Sequence, residues 1–190
     1  MPDPEDLLRA AERVAAILEK QRVGSIVIGA VALAAHGYVR FTETIDLAVN
    51  VDLRTLKTIA DALRSAGFEA VLREPDGEDP LGGVIDVTGP FGLVQIVNYG
   101  ERFPAVIDAG LAEATIVVRA GSPLRIVPLP HLVALKLYAG GRESQSDIVE
   151  LLTRNRQADL GRVREVCRNY RLEGLDPLID EATGGTGPLP

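Results

Sequence analysis

The period at which apolar residues recur changes near Pro130, and that change limits the fold more than any other feature of the chain. Before it, short apolar runs read as strands: Ser25–Ile28, Ile45–Asn50, Glu69–Arg73, Val84–Val87, Leu93–Asn98, Ala114–Arg119 and Leu124–Val127. Between them, Leu7–Leu18, Ala30–His36, Leu53–Leu63 and Phe103–Ala109 have helical spacing, and Gly24, Gly37 and Gly67 stand where helices stop. The turn TGPFG predicts a hairpin, and EPDGEDPLGG is too rich in Pro, Gly and Asp for regular structure. After it, only helical spacing remains, at about Pro130–Ala139, Ser144–Arg154, Leu160–Tyr170 and Leu175–Glu181. The expectation is an α+β fold: a core over 1–127, a helical extension over 128–182 packed on it, and a disordered tail at 183–190.

Composition narrows the function classes. With 190 residues and 46% hydrophobic content, the chain has enough apolar material for a full core without disulfide or structural metal. The net charge of −7 argues against holding nucleic acid by bulk charge, although a local basic patch stays open. Gly, Arg, Glu or Asp interrupts every apolar run, so no stretch approaches the roughly 20 residues of a membrane span. The acidic start MPDPEDLL is unlike a secretory signal, and the expected location is cytoplasmic. Cys167 is alone, which removes intrachain disulfides and cysteine-based zinc sites. His36 and His131 lie in unrelated contexts and support no hydrolase triad; His36, near a helix end, reads as structural.

A few polar residues interrupt apolar patterns. Asp46 lies in the strand ETIDLAVN on the face of Thr44 and Ala48, and Asp86 interrupts VIDVT in the same way. Two carboxylates on one small sheet can converge on a divalent cation, and each equally fits a solvent-facing position on a half-exposed strand. Gly29 sits where a strand passes into a helix, a place where backbone N–H groups approach phosphate, or where a strand simply ends. There is no GK[ST] and no GxGxxG after that strand. All but three of the 20 basic residues are Arg, so Lys136 on the apolar side of PHLVALKLYAG stands out. It either snorkels to the surface or meets an anion in a cleft. Ser144-x-x-Asp147 matches a helix capping box.

Together the segment IVIGAVALAAHGYVRFTETIDLAV resembles the first motif of nucleotidyltransferase-fold proteins of the AbiEii-like and minimal-nucleotidyltransferase type. Gly29, His36-Gly37, Arg40, Thr42 and Asp46 fall where that pattern wants them. Asp86 matches a later strand carrying a third Asp, and LRIVPLPHLVALKLYAGGRESQSDIVELL aligns Lys136, Arg142 and Asp147 with recurrent polar positions. The likeness covers roughly residues 23–153. Two positions depart from it: Ala30 replaces Gly or Ser, and Thr44 replaces the first Asp of Asp-x-Asp. Glu43 cannot substitute, because one residue along a strand turns the side chain to the other face.

The resemblance implies transfer of a nucleoside monophosphate from an NTP to RNA, a protein or a small molecule, with Mg²⁺ or Mn²⁺ as cofactor. In that reading Asp46 and Asp86 are the catalytic and metal-ligating residues. Gly29, Ala30, Arg40, Thr42 and Lys136 bind nucleotide, with Thr44, Arg142 and Asp147 accessory. A neutral Thr44 brings no charge to the metal, so the expected activity is weak. The alternative is a non-catalytic nucleotide-binding regulator or a toxin–antitoxin-type partner. A third reading is a scaffold that forms a homodimer through its C-terminal helices.

Overall fold

The computed structural model describes residues 3–77, 79–100, 102, 103 and 105–184. Thirteen elements follow in order: α1 (Pro4–Lys20), β1 (Ile26–Ile28), α2 (Gly29–Ala35), β2 (Thr44–Val49), α3 (Leu53–Ser65), β3 (Glu69–Arg73), β4 (Val84–Gly89), β5 (Gly92–Asn98), α4 (Ala105–Glu113), α5 (Leu129–Ala139), α6 (Gly141–Arg154), α7 (Leu160–Asn169) and α8 (Leu175–Thr183). The helices begin where local chemistry satisfies their first amides. Asp3, Asp52 and Asp159 cap α1, α3 and α7, and Pro4 occupies the first turn of α1, where no N–H is needed.

The five strands form one mixed sheet in the order β1-β2-β5-β4-β3. Only β2 and β5 run parallel; every other neighbouring pair is antiparallel. The expected hairpin joins β4 to β5, closing at Gly89 opposite Gly92. Register sorts the side chains. Ile45, Leu47, Val94, Ile96, Ile85 and Val87 share one face, and all are buried. The opposite face carries Thr44, Asp46, Gln95 and Asp86, each only part-buried. Helices α1 and α3 pack on each other and against the sheet, α4 contacts β1, and α5 lies among α4, α6 and α7. One continuous buried cluster runs from Leu7 on α1 to Ile179 on α8.

At the C-terminal ends of the parallel pair, Asn98 is fully buried and fully satisfied. Its Nδ2 donates to the carbonyls of Val51 and Gly82 at 2.9 and 3.0 Å. Its Oδ1 accepts from the N–H of Val51 and Gly100 at 3.1 and 3.0 Å. Four loop groups that would otherwise be buried without partners are thus tied to one side chain.

Some expectations fail. The strands expected at Ala114–Arg119 and Leu124–Val127 are absent. That stretch makes only single bridges, Val27 with Ile126 and Val117 with Arg125. The edge strand β1 has three residues before Gly29 turns the chain, which leaves no room for a longer ladder. The capping box at Ser144 also fails, because α6 starts earlier, at Gly141, and Asp147 lies inside it and buried. The helix expected at Phe103–Ala109 runs instead from Ala105 to Glu113. The expected disordered tail at 183–190 overlaps the end of α8 at Thr183, and residues 185–190 lie outside the described residues.

Candidate functional site

The site forms where β1 ends and α2 begins. Ile28 pairs with Asp46 across β1 and β2, so the next residue, Gly29, lies beside the Asp46 side chain. Gly29 has φ of 65°, a left-handed conformation that side chains resist. A Cβ there would also overlap the Asp46 carboxylate. Glycine is therefore required twice, by backbone conformation and by space.

Among the described residues none donates a hydrogen bond to the Asp46 carboxylate. Burial pushes its pKa up to about 6, and the Lys136 ammonium on α5 pulls it partly back. The buried Tyr99 hydroxyl is held in its neutral form by burial and by the field of Asp46. A largely desolvated carboxylate without donors is electrostatically costly, and a cation beside it would relieve that cost.

Lys136 is part-buried and its ammonium is paired. Its Nζ donates to Oδ2 of Asp147 at 2.7 Å, and the Asp147 side chain is only 2% exposed. Arg40, from the loop between α2 and β2, places Nη1 at 2.8 and 3.0 Å from the two oxygens of the same carboxylate. Its Nη2 donates to Glu143 at 2.6 Å. Asp147 thus joins two of the expected nucleotide contacts. Thr42 and Thr44 face each other with their hydroxyls 3.0 Å apart, and the Thr44 N–H donates to Oγ1 of Thr42. Ala30 follows Gly29 in the first turn of α2. Arg142 is exposed on the first turn of α6 and takes no part in these contacts. His36 caps α2 at its C-terminus, with Nε2 2.8 Å from the Val127 carbonyl, as its structural reading required.

Asp86 shares the face of Asp46, but β5 lies between them, and Gln95 pairs with both positions. Two strand spacings put their backbones roughly 10 Å apart. Gln95 donates to Oδ1 of Asp86 at 2.6 Å, and Arg73 grips the same carboxylate with Nε 2.8 Å from Oδ2. Gln95 and Arg73 were missed in the sequence. Gln95 is the one polar residue on its face of LVQIV, which was the available signal; the pairing of Arg73 depends on strand register, which composition does not carry.

The donor set decides how many divalent ions fit. Beside Asp46 stand neutral Thr44 and neutral Gln95, and Asp86 is already neutralised by Arg73. No group of three His, Cys, Asp or Glu converges among the described residues. This donor set offers too little charge for two ions; a single ion would take Asp46 as its protein ligand and leave the remaining positions to water or phosphate oxygens.

The mixed sheet flanked by helices has a nucleotidyltransferase-like fold, as its likeness to solved structures shows. The antibiotic-resistance factor ANT(2'')-Ia superposes with a TM-score of 0.53 at 14% identity, covering 86% of this chain and 90% of its own. An antigenic nucleotidyltransferase-like protein from Paracoccidioides brasiliensis gives 0.54 at 16% identity, covering 94% and 93%. No protein-family model matches the chain, and no curated protein sequence does. No described helix is long and apolar enough to cross a membrane.

Proposed function

We propose that the chain binds an NTP together with one divalent cation, Mg²⁺ or Mn²⁺, at Asp46, and that nucleoside monophosphate transfer from it is strongly weakened. The observation that carries this reading is the desolvated Asp46 carboxylate, without a hydrogen-bond donor, lying against Gly29 and within the field of Lys136. Asp46 is the cation ligand. In this reading the backbone at Gly29 and Ala30, the hydroxyl of Thr42 and the cations Arg40 and Lys136 serve the phosphates. Asp86 joins as a second ligand only by leaving Arg73.

In such a site the cation supplies Lewis-acid neutralisation of phosphate charge. The chain itself orients the phosphates and leaves the acceptor hydroxyl without a second carboxylate to draw it in. At ~4 Å and an effective dielectric near ~20, a missing carboxylate removes about 4 kcal/mol per unit charge, twice that for a divalent ion, before water replaces it. A quarter of that sum already weakens binding more than tenfold. Thr44 in place of an acid is the specific reason to expect weak chemistry.

That same deficit favours a second reading, a non-catalytic nucleotide-binding regulator or toxin–antitoxin-type partner in the cytoplasm. The AbiEii-like likeness rests on the sequence motifs around Gly29 and Lys136. One experiment separates the readings: thermal shift with each NTP, with and without Mn²⁺, beside a transfer assay with α-labelled NTPs and RNA or protein acceptors. Stabilisation by NTP and Mn²⁺ without labelling supports the regulator. Slow labelling that Thr44→Asp accelerates supports the weakened enzyme. No stabilisation by any NTP overturns both.

A further inference from the structure

The most unusual group outside the immediate Asp46 contact is Asp147. It is one of the few buried polar residues of the described chain, and three elements meet on it: the loop after α2 through Arg40, α5 through Lys136, and α6, which carries it. Both of its oxygens accept hydrogen bonds, from Arg40 and Lys136. Isolated, a buried ion cluster of this kind gives little net stability, because desolvation offsets the attraction. Its value here lies in where it leaves Lys136.

Two carboxylates compete for that ammonium. Asp147 holds it at 2.7 Å, and Asp46 feels its charge without bonding it. We propose that Asp147 is a positioning residue that keeps Lys136 at a stand-off from Asp46, so that Asp46 stays open to a cation while Lys136 stays beside the phosphates. This rests on the reading of Asp46 as the cation ligand. Asp147 touches neither ligand; it acts through Lys136 and, by gripping Arg40, fixes the loop that leads into β2 at the same point. Removing its charge leaves Asp46 as the remaining acid for Lys136, and the ammonium then closes the cation site from within.

The test compares wild type, Asp147→Asn and Asp147→Glu by Mn²⁺ binding in electron paramagnetic resonance and by a crystal structure of the Asn variant. The expected result is at least a tenfold loss of Mn²⁺ affinity in Asp147→Asn, Lys136 Nζ within ion-pair distance of Asp46, and recovery in Asp147→Glu. A folded Asp147→Asn protein with Lys136 unmoved and Mn²⁺ affinity within twofold of wild type overturns the proposal. If stranded Arg40 prevents folding, Arg40→Gln/Asp147→Asn removes that surplus charge, and the same two readouts decide. If wild type binds no Mn²⁺, the cation reading of Asp46 fails. The position of Lys136 in the variant crystal still answers the stand-off question separately, because it requires no metal.

Discussion

The Asp46 carboxylate occupies the volume in which any residue other than glycine at position 29 would place its Cβ. The loop geometry at the end of β1 and the chemistry on β2 are therefore one constraint. Changing either residue changes both.

Gly29→Ala tests that coupling. The left-handed φ alone costs about 1–2 kcal/mol, and the overlap with Asp46 adds to it. Gly37→Ala is the control, since Gly37 has φ of 85° but open space around a Cβ. Urea unfolding is expected to show a clearly larger loss for Gly29→Ala, accompanied by loss of Mn²⁺ binding. Equal losses in the two variants, with Mn²⁺ binding intact, would show that the contact is unimportant.

Asp46 should destabilise the protein it serves. Its folded pKa of about 6 lies above the ordinary aspartate value of 3.8, so the fold favours the protonated acid. Its favourable contribution is complete below the unfolded value and is lost as pH rises through about 6. Above that, the ionised carboxylate costs up to about 3 kcal/mol. In chelator-treated protein, Asp46→Asn is expected to raise Tm by several degrees at pH 8 and by much less at pH 4. A gain of equal size at both pH values would contradict this origin.

Alternation and helical spacing made most of the sheet and every helix legible, because each depends on a local period that side chains repeat along the chain. Glu69–Arg73 was read to the residue. The site was less legible. Strand order decides that Gln95, not Asp86, is the neighbour of Asp46, and no local pattern contains strand order. Asp147 looked like a cap because Ser144 precedes it by three residues. Its real partners are 11 and 107 residues away in sequence.

His131 gives an acid-sensitive point in the helical layer. It is buried, its Nδ1 has no hydrogen-bond partner among the described residues, and burial holds its pKa below the usual value, with Glu113 opposing that effect and Arg162 adding to it. The fold thus prefers neutral imidazole. Its stabilisation is complete above the unfolded value near ~6.5 and is lost as pH falls below it. Denaturant titrations between pH 7.5 and 5 are expected to show falling stability in wild type and a flatter profile in His131→Leu. Parallel profiles would assign the acid sensitivity elsewhere.

Asn98→Ala should be the most damaging single change away from the site. It strands the N–H groups of Val51 and Gly100 and the carbonyls of Val51 and Gly82. At about 1–3 kcal/mol for each buried group left unpaired, a total loss above ~3 kcal/mol is expected from the urea midpoint. A loss below ~1 kcal/mol would mean that water replaces the amide.

Between α5 and α6 the chain reverses through Gly140 and Gly141, both at positive φ, of 68° and 78°, and open space surrounds a Cβ at either one. The joint that presents Asp147 to Lys136 thus rests on backbone torsions that favour glycine, beside the packing of the two helices. Substitution there meets no steric wall, only a torsional one. Any strain introduced there falls on the joint between the two helices whose side chains form the Lys136–Asp147 pair.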